Sequence, residues 1–141
     1  NSAPSNWGLF DKQANGDWLG QELVVNGGFD TDLTGWGTPN SGWSWVAGAA
    51  TLSGDGSYQP MQQFGLINQG GSYYVSYFAE GIVGVLNLTN NNGALILSAT
   101  DGYNFIEYTG AASSGIEFKR NSGVVSGSID NVSVKEVLKN A

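Results

Sequence analysis

The chain has 141 residues, with 12 acidic and 5 basic side chains, a formal net charge of −7, 22 Gly, and neither Cys nor His. The two absent types remove disulfides, zinc–thiolate and iron–sulfur sites, thiol nucleophiles, imidazole bases and Ser-His-Asp triads. The acid excess and the scattering of the few bases argue against nucleic acid and anionic membrane surfaces as partners, since both need clustered Lys and Arg. No apolar run approaches the roughly 18 residues that insert across a bilayer.

The length suits one domain, which can bury about two thirds of its unfolded surface. Only 12% of residues are charged, and Gly, Ser, Asn and Thr are abundant. That profile predicts short strands joined by tight turns, an all-β domain. Residues 1–21 carry Trp7, Leu9, Phe10, Trp18 and Leu19 among small polar residues without periodicity. They read as an irregular N-terminal arm whose Trp7, Phe10 and Trp18 are too costly to leave in water. The arm is expected to cover an edge of its own domain or to anchor on a neighbouring subunit.

Residues 22–141 form the domain proper. Strands are expected at 23–25, 43–52, 58–64, 72–80, 83–89, 94–100, 103–109, 115–120 and 127–137, separated by Gly- and Asn-rich turns, the pattern of a sandwich or barrel. Trp43 and Trp45 sit two apart, hence on one face, as a sandwich floor or a sugar-stacking platform. Gln59, Gln62 and Gln63 follow beside Tyr58, amides that suit vicinal hydroxyls or a solvated sheet face. In 73–80, period-two alternation sorts Tyr73, Val75, Tyr77 and Ala79 to the core and Tyr74, Ser76, Phe78 and Glu80 to the opposite face. Aromatics beside a carboxylate and a hydroxyl suit a sugar surface or a subunit interface equally. Arg120, the one arginine, stands beside Asn121 and could bond a glycan or fix a local partner.

Two segments are more specific than composition. Leu23-Val24-Val25-Asn26-Gly27-Gly28-Phe29-Asp30 with Gly35-Trp36 opens the domain, and Gly127-Ser128-Ile129-Asp130-Asn131-Val132-Ser133-Val134-Lys135-Glu136-Val137 closes it. With Trp43-Ser44-Trp45 between them, the chain resembles the jelly-roll, galactose-binding-like carbohydrate-binding modules related to families 4, 9 and 22, especially the copies in bacteriophage structural proteins. The resemblance spans about Glu22 to Val137 and implies a jelly-roll β-sandwich. It places Trp36 in the core. It also points to a structural calcium held by Asp30, Asp130 and the Gly28 carbonyl, since first and last strands of a jelly roll can lie side by side and calcium takes six to eight oxygens. The alternative is that Asp130 caps a turn or accepts backbone N–H bonds, and that Asp30 with Asp32 serves the following Asx turn.

Glycan contacts are expected from Trp43, Trp45, Tyr74, Phe78, Glu80 and Arg120. No carboxylate pair is marked for glycoside hydrolysis: Glu80, Glu107 and Glu117 fall on separate predicted strands. The resemblance therefore implies a non-catalytic virion protein, a capsid decoration or tail-associated component, assembled with other virion proteins or as a homotrimer and touching cell-surface glycans. The alternative is a carbohydrate-binding module of a secreted glycoside hydrolase.

Overall fold

The structure, a computed structural model, describes residues 11–12 and 18–138. Trp7 and Phe10 of the expected arm lie outside these residues. The described residues form strands and turns without a helix: β1 (Asp11–Lys12), β2 (Trp18–Glu22), β3 (Trp43–Val46), β4 (Ala49–Ser53), β5 (Met61–Ile67), β6 (Ser72–Val83), β7 (Leu86–Asn90), β8 (Leu95–Ser98), β9 (Gly102–Thr109), β10 (Ser114–Arg120) and β11 (Ser126–Leu138). They pair antiparallel in two sheets.

The larger sheet is organised by β11. One flank pairs with β6, beyond which lies β9. The other flank pairs with β4 near its start and with β2 near its end, β3 and β1 continuing outward. The smaller sheet runs β5-β10-β7-β8.

Of the departures from the expected strand bounds, three have a clear local reason. The strand expected at 43–52 is a hairpin, β3 and β4 turning at Ala47 (φ 51°) and Gly48 (φ 87°). Residues 23–25 do not form a strand, because the Glu22 carboxylate accepts the N–H groups of both Val24 and Val134 (3.1 and 2.7 Å) where ladder bonds would run. Sheet pairing falls instead on Trp18–Glu22, with Leu19 opposite Val137, so part of the expected arm belongs to the sheet. β5 starts at Met61, directly after Pro60, which has no N–H to give to a ladder.

Between the sheets, Tyr73, Val75, Tyr77 and Ala79 of β6 and Ile129 and Val134 of β11 meet Leu86, Leu88, Ile116 and Phe118 of the smaller sheet, all buried. Each Val, Leu, Ile or Phe among them contributes roughly 1.5–3 kcal/mol by leaving water. Phe118 is the hub: the Tyr77 ring meets it edge-on at 5.0 Å, with Trp36 and Trp43 at 6.3 and 6.5 Å. Trp36 packs in turn on Phe29 at 5.6 Å, in the core as the resemblance implied.

The opening motif is architecture. Gln63 brackets Val25 as a strand would, its Oε1 taking the Val25 N–H (2.8 Å) and its Nε2 donating to the Val25 carbonyl (2.9 Å). Asn26 Nδ2 donates to the carbonyls of Asp32 and Thr34, and Trp36 Nε1 to the carbonyl of Asn26. The Val132 N–H donates to the Gly27 carbonyl at 2.9 Å. A Cβ on Gly27 would stand 2.0 Å from the Val132 carbonyl oxygen, so only glycine allows this loop to seat on β11.

Candidate functional site

The outward face of the larger sheet can be read row by row from its register, because directly paired residues share a face. Lys135, Tyr74 and Glu107 form one row, then Ser133, Ser76 and Phe105, then Asp130, Phe78 and Tyr103, and last Thr51, Ser128 and Glu80. The alternation expected in β6 is the one observed. Tyr103 and Phe105 are each 58% exposed and Phe78 is 40% exposed, three large rings left in water on one surface.

The rings are ordered by each other. Tyr103 stacks on Phe105 with centroids 5.5 Å apart and planes 27° apart, and Phe105 on Tyr74 at 6.2 Å and 29°. Burial, then the hydrogen bond and charge of Tyr103, push the Tyr74 phenol up to about 12. At the far end, Phe78 borders a cavity of about 140 Å³ lined also by Glu80, Asp130, Ser128, Ala47 and Ala49. Ser128 Oγ, one of the lining groups, lies 2.9 Å from Thr51 Oγ1. An aromatic strip thus runs into a pocket bearing two carboxylates and a hydroxyl.

The residues expected from sequence divide among several places. Tyr74, Phe78 and Glu80 come together here. Trp43 is 7% exposed in the core and donates Nε1–H to the Gln59 carbonyl, so burial removes it from any sugar platform. Trp45 shares the inward face of β3 but lies at the sheet's rim, 41% exposed, its Nε1 donating to the Phe29 carbonyl. Arg120 is on the other sheet, where Nε donates to the Ser57 carbonyl at 2.7 Å. Tyr103 and Phe105 were not among the expected contacts, although alternation in β9 marks them: Asn104, Ile106 and Tyr108 are turned inward on the opposite face of the strand.

The opposite sheet presents a more polar face. The Tyr58 hydroxyl donates to the buried Glu117 carboxylate at 2.8 Å, and Lys119 Nζ lies 5.8 Å from the centre of the Tyr58 ring. Burial, then the bond and charge of Glu117, push the Tyr58 phenol up to about 12. Gln59 and Gln63, candidate sugar contacts by type, are buried and spent on backbone groups.

Asp30 follows the loop of Gly27 and Gly28 that seats on β11, and Asp130 lies on β11 itself. Asp30 is exposed, and Asp130 Oδ1 accepts the Asn131 N–H at 2.7 Å. Among the described residues no group of three or more acidic side chains gathers to hold a metal. Trp18 lies on β2, half-buried, opposite Lys12 and Leu138.

No family model and no curated protein matches the chain. Solved structures do. The enzymatically active domain of tailspike protein 4 of bacteriophage CBA120 superposes with a TM-score of 0.54 at 14% identity, over 82% of this chain and 21% of that one. A mutant of the family 29 carbohydrate-binding module CBM29-2 gives 0.53 at 13%, over 82% and 83%. The N-terminal cellulose-binding domain of Cellulomonas fimi β-1,4-glucanase C gives 0.52 at 16%, over 83% and 98%. The chain spans about a fifth of the tailspike chain but nearly all of the cellulose-binding domain. At these identities the likeness concerns the fold, and the fold is an all-β jelly-roll sandwich of the kind found in carbohydrate-binding modules.

Proposed function

We propose that the chain is a non-catalytic glycan-binding domain whose ligand lies along the outward face of the larger sheet, from Tyr103 and Phe105 past Phe78 to Glu80 and Asp130. The observation that carries this reading is the run of exposed, mutually stacked rings into a carboxylate-lined cavity. Sugar C–H faces pack on aromatic rings, and sugar hydroxyls donate to carboxylate and hydroxyl oxygens. Glu80 and Asp130 are read as hydrogen-bond acceptors. Nucleic acid and membrane insertion are no part of the proposal.

The setting we propose is a bacteriophage virion, as capsid decoration or tail-associated protein, contacting cell-surface glycans and other virion proteins or copies of itself. The tailspike likeness supports it at the level of fold. The second reading, a carbohydrate-binding module of a secreted glycoside hydrolase, draws on the match along 98% of the cellulose-binding domain. Affinity electrophoresis separates the two. Bacterial surface polysaccharides in the gel should retard the chain, and Phe105→Ala should abolish the retardation; retardation by plant glucan or xylan alone favours the hydrolase module. The mass in solution should be that of a trimer, and a strict monomer counts against virion assembly.

A structural calcium on Asp30, Asp130 and the Gly28 carbonyl belongs to the same proposal. The seating of the loop on β11 supports it, and those residues supply three of the six to eight oxygens calcium takes. Chelation by EDTA should lower the unfolding temperature by several degrees and added calcium restore it; an unchanged temperature removes the metal from the account.

A further inference from the structure

A second cleft lies at the other end of β6, beside the smaller sheet. It measures about 500 Å³, within the roughly 300–1,000 Å³ typical of small-molecule sites. Its walls are Phe64 and Gly65 of β5, Asn68 after β5, Asn91 and Asn92 in the β7–β8 turn, and Ser113 and Ser114 at the start of β10.

The cleft is built by a bulge. Ser114 pairs with Ile67 and Ile116 with Gln63, so Gly115 alone faces the three residues 64–66. Alternation from buried Met61 and Gln63 turns Phe64 outward, 64% exposed, and the bulge with Gly65 at φ 76° kinks the strand beside it. A Cβ on Gly115 would meet the Gln63 carbonyl oxygen at 1.9 Å, so glycine is required at that point. Asn91 locks the arrangement by accepting the Gly115 N–H and donating Nδ2–H to the Ile116 carbonyl. Asn90 Oδ1 shapes the adjoining turn by accepting the N–H groups of Asn92 and Ala94 at 2.8 and 2.9 Å.

Among the described residues, the side-chain amides of Asn68 and Asn92 have no hydrogen-bond partner. The cleft therefore offers one exposed aromatic ring and two amides that each donate and accept, with two serine hydroxyls. The Ser113 hydroxyl accepts the Gln69 N–H at 3.3 Å and keeps its own proton to donate, and the Ser114 hydroxyl donates to the Gly115 carbonyl at 3.3 Å and keeps its lone pairs to accept. None of its walls is a charged residue. A phosphate, a carboxylate or a cation would find no compensating charge, whereas a polyhydroxylated ring finds an apolar surface for its C–H face and paired donors and acceptors for its hydroxyls.

We infer that this cleft is a second binding site, for a neutral saccharide, distinct from the face carrying Phe78 and Phe105. The two lie toward opposite ends of β6, the cleft by Ser72 and the first cavity by Phe78 and Glu80. A chain with both sites can hold one polysaccharide at two points or cross-link two strands, gaining avidity without a new contact.

Two-dimensional amide NMR of the whole chain tests the inference, with cellohexaose, xylohexaose, mannohexaose and a galacto-oligosaccharide as probes. At least one probe should shift the amides of Gly65, Asn68, Asn92 and Ser113 in a saturable way. Phe64→Ala should weaken that response at least tenfold and Asn92→Ala severalfold, while Phe105→Ala leaves it intact. The Asn92→Ala variant keeps the test decisive if Phe64→Ala fails to fold. The inference is overturned if no probe moves these amides, or if the response persists undiminished in the variants. Because each site is followed through its own amides, failure of one is distinguishable from failure of the other.

Discussion

At the scale of single residues, the molecule depends on places where backbone lies against backbone. Gly27→Ala would put a methyl group 2.0 Å from the Val132 carbonyl oxygen and unseat the loop that Trp36, Asn26 and Gln63 all bond to. A loss of about 2–4 kcal/mol is expected, read as a lower urea midpoint with little change in slope. The phenols give a second prediction. Tyr58 and Tyr74 are held up to about 12 in the folded chain, against an ordinary value of 10.0, and Tyr77 is raised further by burial. The folded state then binds these protons more tightly than the unfolded state. Their contribution to stability is complete below pH 10 and is lost as pH climbs from 10 toward 12. Unfolding temperature should fall across that window, while absorbance at 295 nm shows late phenolate formation. Residue types alone did not separate these roles: Trp43 and Trp45 share one face, yet only the position of β3 at the sheet edge decides which indole is sealed and which reaches the rim.

At the scale of elements, alternation was the most legible signal. In β6 it places Tyr73, Val75, Tyr77 and Ala79 inward, and β6 lies between two neighbouring strands where a one-residue slip would expose that whole set. Turns were less legible. The β3–β4 hairpin reverses at Ala47, an alanine at φ 51° with no Asn-Gly or Asp-Gly signature, so the sequence reads as one long strand. That conformation costs a non-glycine residue roughly 1 kcal/mol. Ala47→Gly should therefore hold or raise stability, by up to about 1 kcal/mol less the entropy a glycine adds to the unfolded chain, and Ala47→Val should lower it. Chemical denaturation of the two variants checks the order. The missed start at 23–25 has a similar origin, since a glutamate side chain standing in for ladder bonds leaves no trace in strand propensity.

For the molecule as a whole, the two end motifs carry the fold because the loop after β2 and the bulge of β11 interlock, through Gly27 and Val132. That made the architecture readable from two short segments. The proposed binding face is half readable: Tyr74, Phe78 and Glu80 share one strand, whereas Tyr103 and Phe105 join them only through the pairing of β9 with β6, a long-range fact. On the function proposed above, a glycan lies on this face. Titration calorimetry tests it most directly, using the polysaccharide that retards the chain in gels and a Phe78→Ala/Phe105→Ala double variant whose fold is verified by circular dichroism. Binding should weaken by at least tenfold, about 1.4 kcal/mol or more. A folded double variant that binds as tightly as the parent chain would contradict the assignment of the ligand to this face.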